Sequence, residues 1–240
     1  MQGLNRKPGT EGRGLLKLDE RGKYLEDIDY YDLGTLSYEK SMDFQNEMHE
    51  KCCRCEIGGC LIVVEHHPPI ITMGKNTKSG QILVSPEILK RDGIEIIETD
   101  RGGQITAHMP GQLVAYPILP VSKLNLTPRR YIHQLELTIL DLIALFNIKA
   151  QIRDAYPGVW IDENKICAIG VRIKERVSLH GLALNVNNDL SLFNRIIPCG
   201  LPGFGVTSIT QVCGYNIEVA YVKEEFKKLF QDRFNVVLKY

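Results

Sequence analysis

Cys199 lies between Pro198 and Gly200 in a run that ends at Leu201, Pro202 and Gly203. Proline fixes one side of the thiol and glycine leaves the other side open, so a loop of this composition can present sulfur to solvent. The alternative is a packing cysteine, which normally sits inside an apolar run. Three glycine-bearing segments accompany it. The first runs from Arg101 through Gly102, Gly103, Gln104, Ile105, Thr106 and Ala107 to His108, and continues with Met109, Pro110, Gly111 and Gln112. Adjacent glycines after a strand leave backbone N–H groups open to a ligand, although most such turns are only tight turns. The second, Lys165 to Gly170, sets a lysine two residues from Cys167 at the start of a strand. The third holds Ser178, His180, Gly181, Leu182, Ala183 and Asn185.

Other candidates read as structural. Cys52, Cys53, Cys55 and Cys60 with His66 and His67 form a cluster, but the spacing of Cys53 and Cys55 is too tight for a paired zinc site, so no metal is expected. Cys167 and Cys213 read as packing residues, and His133 as a solvated helix residue. Arg129 and Arg130 form a surface pair, or alternatively a docking point for an acidic carrier protein.

These segments need elements to hold them. Residues 36–51 carry a helical pattern with Leu36, Met42 and Met48 among its apolar positions. Residues 60–65 form a β-branched apolar run, residues 70–73 read as extended, and 94–98 and 113–119 read as strands. Thr127 and Pro128 start the clearest helix, with Ile132, Leu135, Ile139, Leu142, Ile143 and Phe146 at 3.6-residue spacing. Strands are expected over 159–162, 165–173 and 177–186, with a turn at Asp162, Glu163 and Asn164, and a last helix over 218–230. The pattern fits one α+β domain over residues 25–240 behind a loose polar arm over 1–24.

The 240 residues are 44% hydrophobic and 24% charged, as in an ordinary globular domain. Basic and acidic residues number 29 each, which argues against a nucleic-acid partner. No apolar run approaches the roughly 20 residues that span a bilayer, so no membrane role is expected. The arm has no apolar stretch of a secretory signal, so the expected compartment is the reducing cytoplasm and the seven cysteines are expected as thiols.

Taken together, Arg101-Gly102-Gly103 with Thr106, His108, Pro110, Gly111 and Gln112 resemble the lipoyl(octanoyl) transferase family. So do Pro157-Gly158-Val159-Trp160, Lys165-Ile166 with Ile169-Gly170, His180 to Asn185, and Pro198-Cys199-Gly200. The resemblance runs over about residues 30–209 in the family's order and spacing. His66 replaces a usual glutamate, Ala107 an aromatic and Met109 a glycine, departures that bear on pocket shape. The resemblance implies the biotin/lipoate protein ligase catalytic fold, a large mixed sheet plus a small sheet flanked by helices. It also implies octanoyl transfer from acyl carrier protein to a lysine on lipoyl domains of 2-oxoacid dehydrogenases and on the glycine cleavage H protein. This is the first step of endogenous protein lipoylation, with no cofactor and a monomeric enzyme.

In that resemblance Cys199 is the nucleophile and Lys165 the general acid/base. An ordinary lysine, with a pKa of about 10.4, is a poor base at neutral pH, so this chemistry calls for a desolvated amine. The substrate-binding positions implied are Arg101, Gly102, Gly103, Gln104, Ile105, Thr106, Ala107, His108, Ala168, Ile169, Gly170, Gly181, Leu182 and Ala183. The glycines would let backbone approach the acyl group, with N–H groups near the oxyanion. Ile169, Leu182 and Ala183 would line an apolar slot in which about six methylenes contribute roughly 5 kcal/mol. Arg101 and His108 are read as orienting backbone and substrate rather than moving protons.

Overall fold

The computed structural model describes residues 26–240, so the arm expected over 1–24 lies outside the described residues. The first half runs β1 (Glu26–Leu36), α1 (Tyr38–Cys53), β2 (Cys60–His66), β3 (Ile70–Met73), α2 (Pro86–Arg91), β4 (Glu95–Glu98), β5 (Ile105–His108) and β6 (Gln112–Ile118). The second half runs α3 (Pro128–Ala144), β7 (Gln151–Ile152), β8 (Gly158–Ile161), β9 (Asn164–Lys174), β10 (Val177–Asn185), β11 (Gly205–Val206), α4 (Ile209–Cys213), α5 (Val219–Phe234) and β12 (Val236–Lys239).

Among the described residues nine strands form one mixed sheet in the order β12-β1-β2-β6-β10-β9-β8-β7, with β11 added to β9. A second sheet has the order β4-β3-β5. The architecture is α+β, a large and a small sheet with helices around them, as expected. Every residue of β6 and β10 is buried, because the large sheet is covered on both faces. Alternation sorts the β2 run: Leu61 and Val63 face the cluster with α3 and α5, while Ile62 and Val64 face the one with α1. No helix of the described residues is long and apolar enough to cross a membrane.

Thr127 caps α3 as expected, its side chain accepting from the Arg130 N–H at 3.3 Å. The helix expected from 36 begins later, since Leu36 ends β1 and Ser37 is the N-cap of α1. The inner face of α1 is also more polar than its apolar spacing implies. Ser41, Gln45 and His49 are buried there with Met48 and Cys52. Gln45 earns its place by accepting the His180 N–H at 3.2 Å. The seven cysteines are unbridged: Cys52, Cys60 and Cys167 are buried, and Cys55 is exposed.

Gly181 marks where two strands press together. A Cβ there would meet the Ala115 carbonyl on β6, which is backbone and cannot swing aside. Gly181→Ala is expected to cost about 2–3 kcal/mol by overpacking. That is a fall in melting temperature of about 5–10 °C for a chain of this size. A melting temperature equal to the parent's contradicts the close approach.

Candidate active site

The loop that carries Cys199 is pinned on both sides. Before it, Ile82 bridges to Ile196, and the Ile197 N–H donates to the Gln81 carbonyl at 2.8 Å. After it, β11 runs parallel to the start of β9, and the Thr207 N–H donates to the Lys165 carbonyl at 3.1 Å. Between these anchors the chain makes two overlapping turns, the Gly200 N–H donating to the Ile197 carbonyl at 2.9 Å and the Leu201 N–H to the Pro198 carbonyl at 3.1 Å. Cys199 has φ 55° and Gly200 φ 64°, both left-handed, a conformation that a non-glycine residue adopts at a cost. The thiol stays half-buried at the wall of a cavity rather than entering the core.

Lys165 reaches that wall from the first residues of β9. The strand pair β8/β9 shifts register between Val159 and Trp160, so Trp160 pairs with Lys165 and Val159 with Cys167. Such a bulge re-aims a side chain. Lys165 is 7% exposed. Its Nζ stands 3.2 Å from Cys199 Sγ, donates to the Pro157 carbonyl at 2.9 Å, and lies 4.6 Å from the centre of the Trp160 ring. Sulfur, carbonyl and ring face fix where the amine points. The two residues expected to act together are brought within direct proton-exchange distance.

The cavity measures about 340 Å³, within the roughly 300–1,000 Å³ of small-molecule sites. Of the expected binding positions, Arg101 to Thr106, His108, Ala168 to Gly170 and Gly181 to Ala183 line it. Ala107 does not. Its short side chain is buried in the core of the small sheet with Ile71, Leu89, Ile105 and Met109, and of this group only Ile105 reaches the cavity wall. The size of the side chain at this position therefore does not set the cavity wall.

The glycines also act differently from expectation. A Cβ on Gly102 would stand 2.9 Å from the Val171 carbonyl, and one on Gly170 would stand 2.8 Å from the Gly102 carbonyl. Their smallness lets backbone meet backbone: the Gly102 N–H donates to the Val171 carbonyl at 3.1 Å, tying the Gly102 turn to β9. Arg101 completes this seam. Its Nη2 donates to the Thr72 carbonyl at 2.7 Å and hydroxyl at 2.9 Å, and its Nη1 to the Gly102 carbonyl at 3.1 Å. Burial pulls the guanidinium below its usual range. Its donors go to two backbone carbonyls and to the Thr72 hydroxyl.

Sequence reasoning missed Tyr38, Tyr116, Ile132, Tyr156 and Leu201 on the cavity wall. Tyr38 and Tyr116 belong to a buried aromatic group with His66 and His108, in which Tyr38 stacks on His108 at 5.9 Å between centroids. His66 donates from Nδ1 to the Leu36 carbonyl at 3.2 Å and accepts the Tyr116 hydroxyl at Nε2 at 2.7 Å, which sets its tautomer. The position of a usual glutamate is thus filled by a neutral ring in a closed hydrogen-bond pair.

Burial pulls His66 down to about 4, and His108 well below its ordinary value. A histidine that folds neutral contributes stability that is complete above the unfolded value of about 6.5 and is lost as pH falls towards the folded value. For His66 the loss by pH 5 is about 2 kcal/mol relative to pH 7.5. Denaturant unfolding at both values should show this extra loss in the native chain and not in His66→Gln. Equal pH dependence in the two contradicts the neutral assignment.

Among the described residues no group of three or more His, Cys, Asp or Glu could hold a metal ion. Cys53 contacts His49, one helical turn before it on α1, at 3.7 Å.

Residues 37–231 match the family model of the lipoyl protein ligase A/B catalytic domain. The octanoyltransferase of Alkaliphilus metalliredigens is 39% identical over 209 residues, 87% of this chain and 95% of that protein. That of Dictyoglomus thermophilum is 41% identical over 190 residues, 79% of this chain and 80% of its own length. Among solved structures, a lipoate-protein ligase A bound with ATP superimposes with a TM-score of 0.70 at 13% identity, covering 89% of this chain and 87% of that one. A bi-partite lipoate protein ligase from Thermoplasma acidophilum gives 0.65 at 13% identity, covering 89% and 86%. At such identities the likeness is one of fold.

Proposed function

The chain belongs to the family of the lipoyl protein ligase A/B catalytic domain, and we propose that it is the acyltransferase that moves octanoyl from acyl carrier protein to lipoyl-domain lysines. The observation that carries this reading is the 3.2 Å contact of Lys165 Nζ with Cys199 Sγ inside one cavity. An enzyme that activates a free acid as an adenylate has no use for such a pair. A thiol that accepts an acyl group needs both members.

In the first half-reaction the Cys199 sulfur attacks the thioester carbonyl of octanoyl carrier protein. Lys165 takes the thiol proton and returns it to the departing carrier thiol, leaving octanoyl as a thioester on Cys199. Thioester exchange is nearly isoenergetic, so the intermediate keeps its reactivity. In the second, Lys165 removes a proton from the incoming lysine ammonium, whose free amine attacks the same carbonyl. As the C–S bond breaks, Lys165 passes that proton to the Cys199 sulfur, and the remaining surplus proton on nitrogen leaves to solvent. The amide formed is the stable product. The two protein substrates are thereby met one after the other. Ile169, Leu182 and Ala183 supply the apolar slot for the alkyl chain. Acceptors are the lipoyl domains of 2-oxoacid dehydrogenases and the glycine cleavage H protein, and the site of action is the cytoplasm.

The experiment offers a lipoyl domain and either octanoyl carrier protein without ATP or free octanoate with ATP. Modification of the lysine from the carrier alone supports the transferase. Modification that occurs only with free acid and ATP overturns it in favour of a ligase, the reading that the fold neighbours represent.

A further inference from the structure

Glu136 is a buried carboxylate that the acyl-transfer scheme leaves unused. It is 5% exposed, on the inward face of α3 beside Leu135 and Ile139. Its Oε1 accepts the Gly158 N–H at 2.9 Å, and its Oε2 lies 3.4 Å from Nδ1 of the half-exposed His133. Burying a charge is costly without a full partner, and a neutral glutamine could accept the same N–H, more weakly, without that cost. The charge of a carboxylate can also act through the amide that it grips.

The recipient is on the other side of the same amide. The Gly158 N–H and the Pro157 carbonyl belong to one planar peptide unit. That carbonyl accepts from Lys165 Nζ at 2.9 Å. A chain of contacts therefore runs from Glu136 through the 157–158 peptide to Lys165 and on to Cys199. Gly158 permits the arrangement, since with φ 125° it turns the peptide against β9, where a Cβ would strike the Cys167 carbonyl. A hydrogen bond to a carboxylate is roughly twice as strong as a neutral one and polarises the amide it grips. We infer that Glu136 is a positioning residue: it fixes and polarises the Pro157–Gly158 peptide so that the Pro157 carbonyl holds the Lys165 amine against the Cys199 sulfur.

The inference rests on reading Cys199 and Lys165 as the transfer pair, so the test has one arm with substrate and one without. With octanoyl carrier protein and a lipoyl domain, kcat is measured per active site titrated from the acyl-enzyme burst. Glu136→Leu is expected to lower kcat about 100-fold and Glu136→Gln about 5-fold, each with KM within twofold of the parent. Glu136→Gln keeps the acceptor, so it remains decisive if the leucine variant does not fold. In the arm without substrate, iodoacetamide alkylation of Cys199 at pH 7, followed on its own peptide by mass, is expected to slow about 10-fold in Glu136→Leu and about 3-fold in Glu136→Gln. A purely structural glutamate would lower thermal stability while leaving both rates per folded site intact, and that result overturns the inference. A native kcat in Glu136→Gln, or a loss carried by KM, overturns it as well. If the parent alkylates rapidly yet forms no acyl-enzyme, the transfer reading fails, and the alkylation series alone decides the role of Glu136.

Discussion

Cys199→Ala is expected to abolish octanoyl transfer, with a loss on the order of 10⁴-fold or more, comparable to losses on removing other covalent nucleophiles. Without the sulfur the carrier thioester and the acceptor lysine must meet on the enzyme at once. The cavity then contributes only the binding and backbone donors that survive nucleophile removal elsewhere. The variant should fold as the parent does. Cys199 lies outside the three apolar clusters, and its loop is held by the contacts of residues 81–82 and 207 rather than by the thiol. Cys199→Gly is a sharper control. Glycine accepts φ 55° without strain, so it should be as stable as the alanine variant or more stable by up to about 1 kcal/mol, and equally inactive. Carrier-dependent transfer at the parent rate in either variant contradicts the covalent route.

Lys165→Ala should lower kcat by about 10²–10⁴-fold, the usual contribution of a positioned acid/base, with a smaller change in KM. Both half-reactions should slow, because one amine serves the thiol in the first and the incoming ammonium in the second. Lys165→Arg separates charge from proton transfer. A guanidinium keeps the positive charge near the sulfur and can still stack on Trp160, but it does not give up its proton at working pH. It should therefore remain as slow as the alanine variant. Single-turnover traces of acyl-enzyme formation and decay read the two steps separately. Recovery of activity in Lys165→Arg contradicts a proton-transfer role and leaves only electrostatic support of the thiolate.

How far the sequence spoke depends on the range of the interactions that decide each feature. Thr127 and Pro128 with a 3.6-residue stripe specify α3 locally, and the apolar run of β2 is similarly self-contained. β1 escaped notice because its residues are mixed in polarity and its pairing is non-local. Its register joins Glu26 to Val236 and Asp29 to Cys60, and neither partner is visible from residues 26–36. The site shows the same division. Cys199 and Lys165 stand out as residue types in recurring motifs, and the structure brings them together through β11 and the 81–83 segment. Ala107 was misplaced because a motif does not say which face of a strand each member takes. The glycines are legible as close-approach positions, but only the three-dimensional partner reveals that Gly102, Gly170 and Gly181 approach backbone carbonyls of neighbouring segments. Glu136 draws no notice in the sequence, because nothing within α3 reports that Gly158 lies against it.

The most direct measurement is the mass of the protein after brief mixing with octanoyl carrier protein in the absence of any acceptor. The account predicts one added octanoyl group per chain, mapped to the peptide containing Cys199, discharged by hydroxylamine and by a lipoyl domain at a rate no slower than turnover. An enzyme that transfers octanoyl at full rate while carrying no label on Cys199 contradicts it.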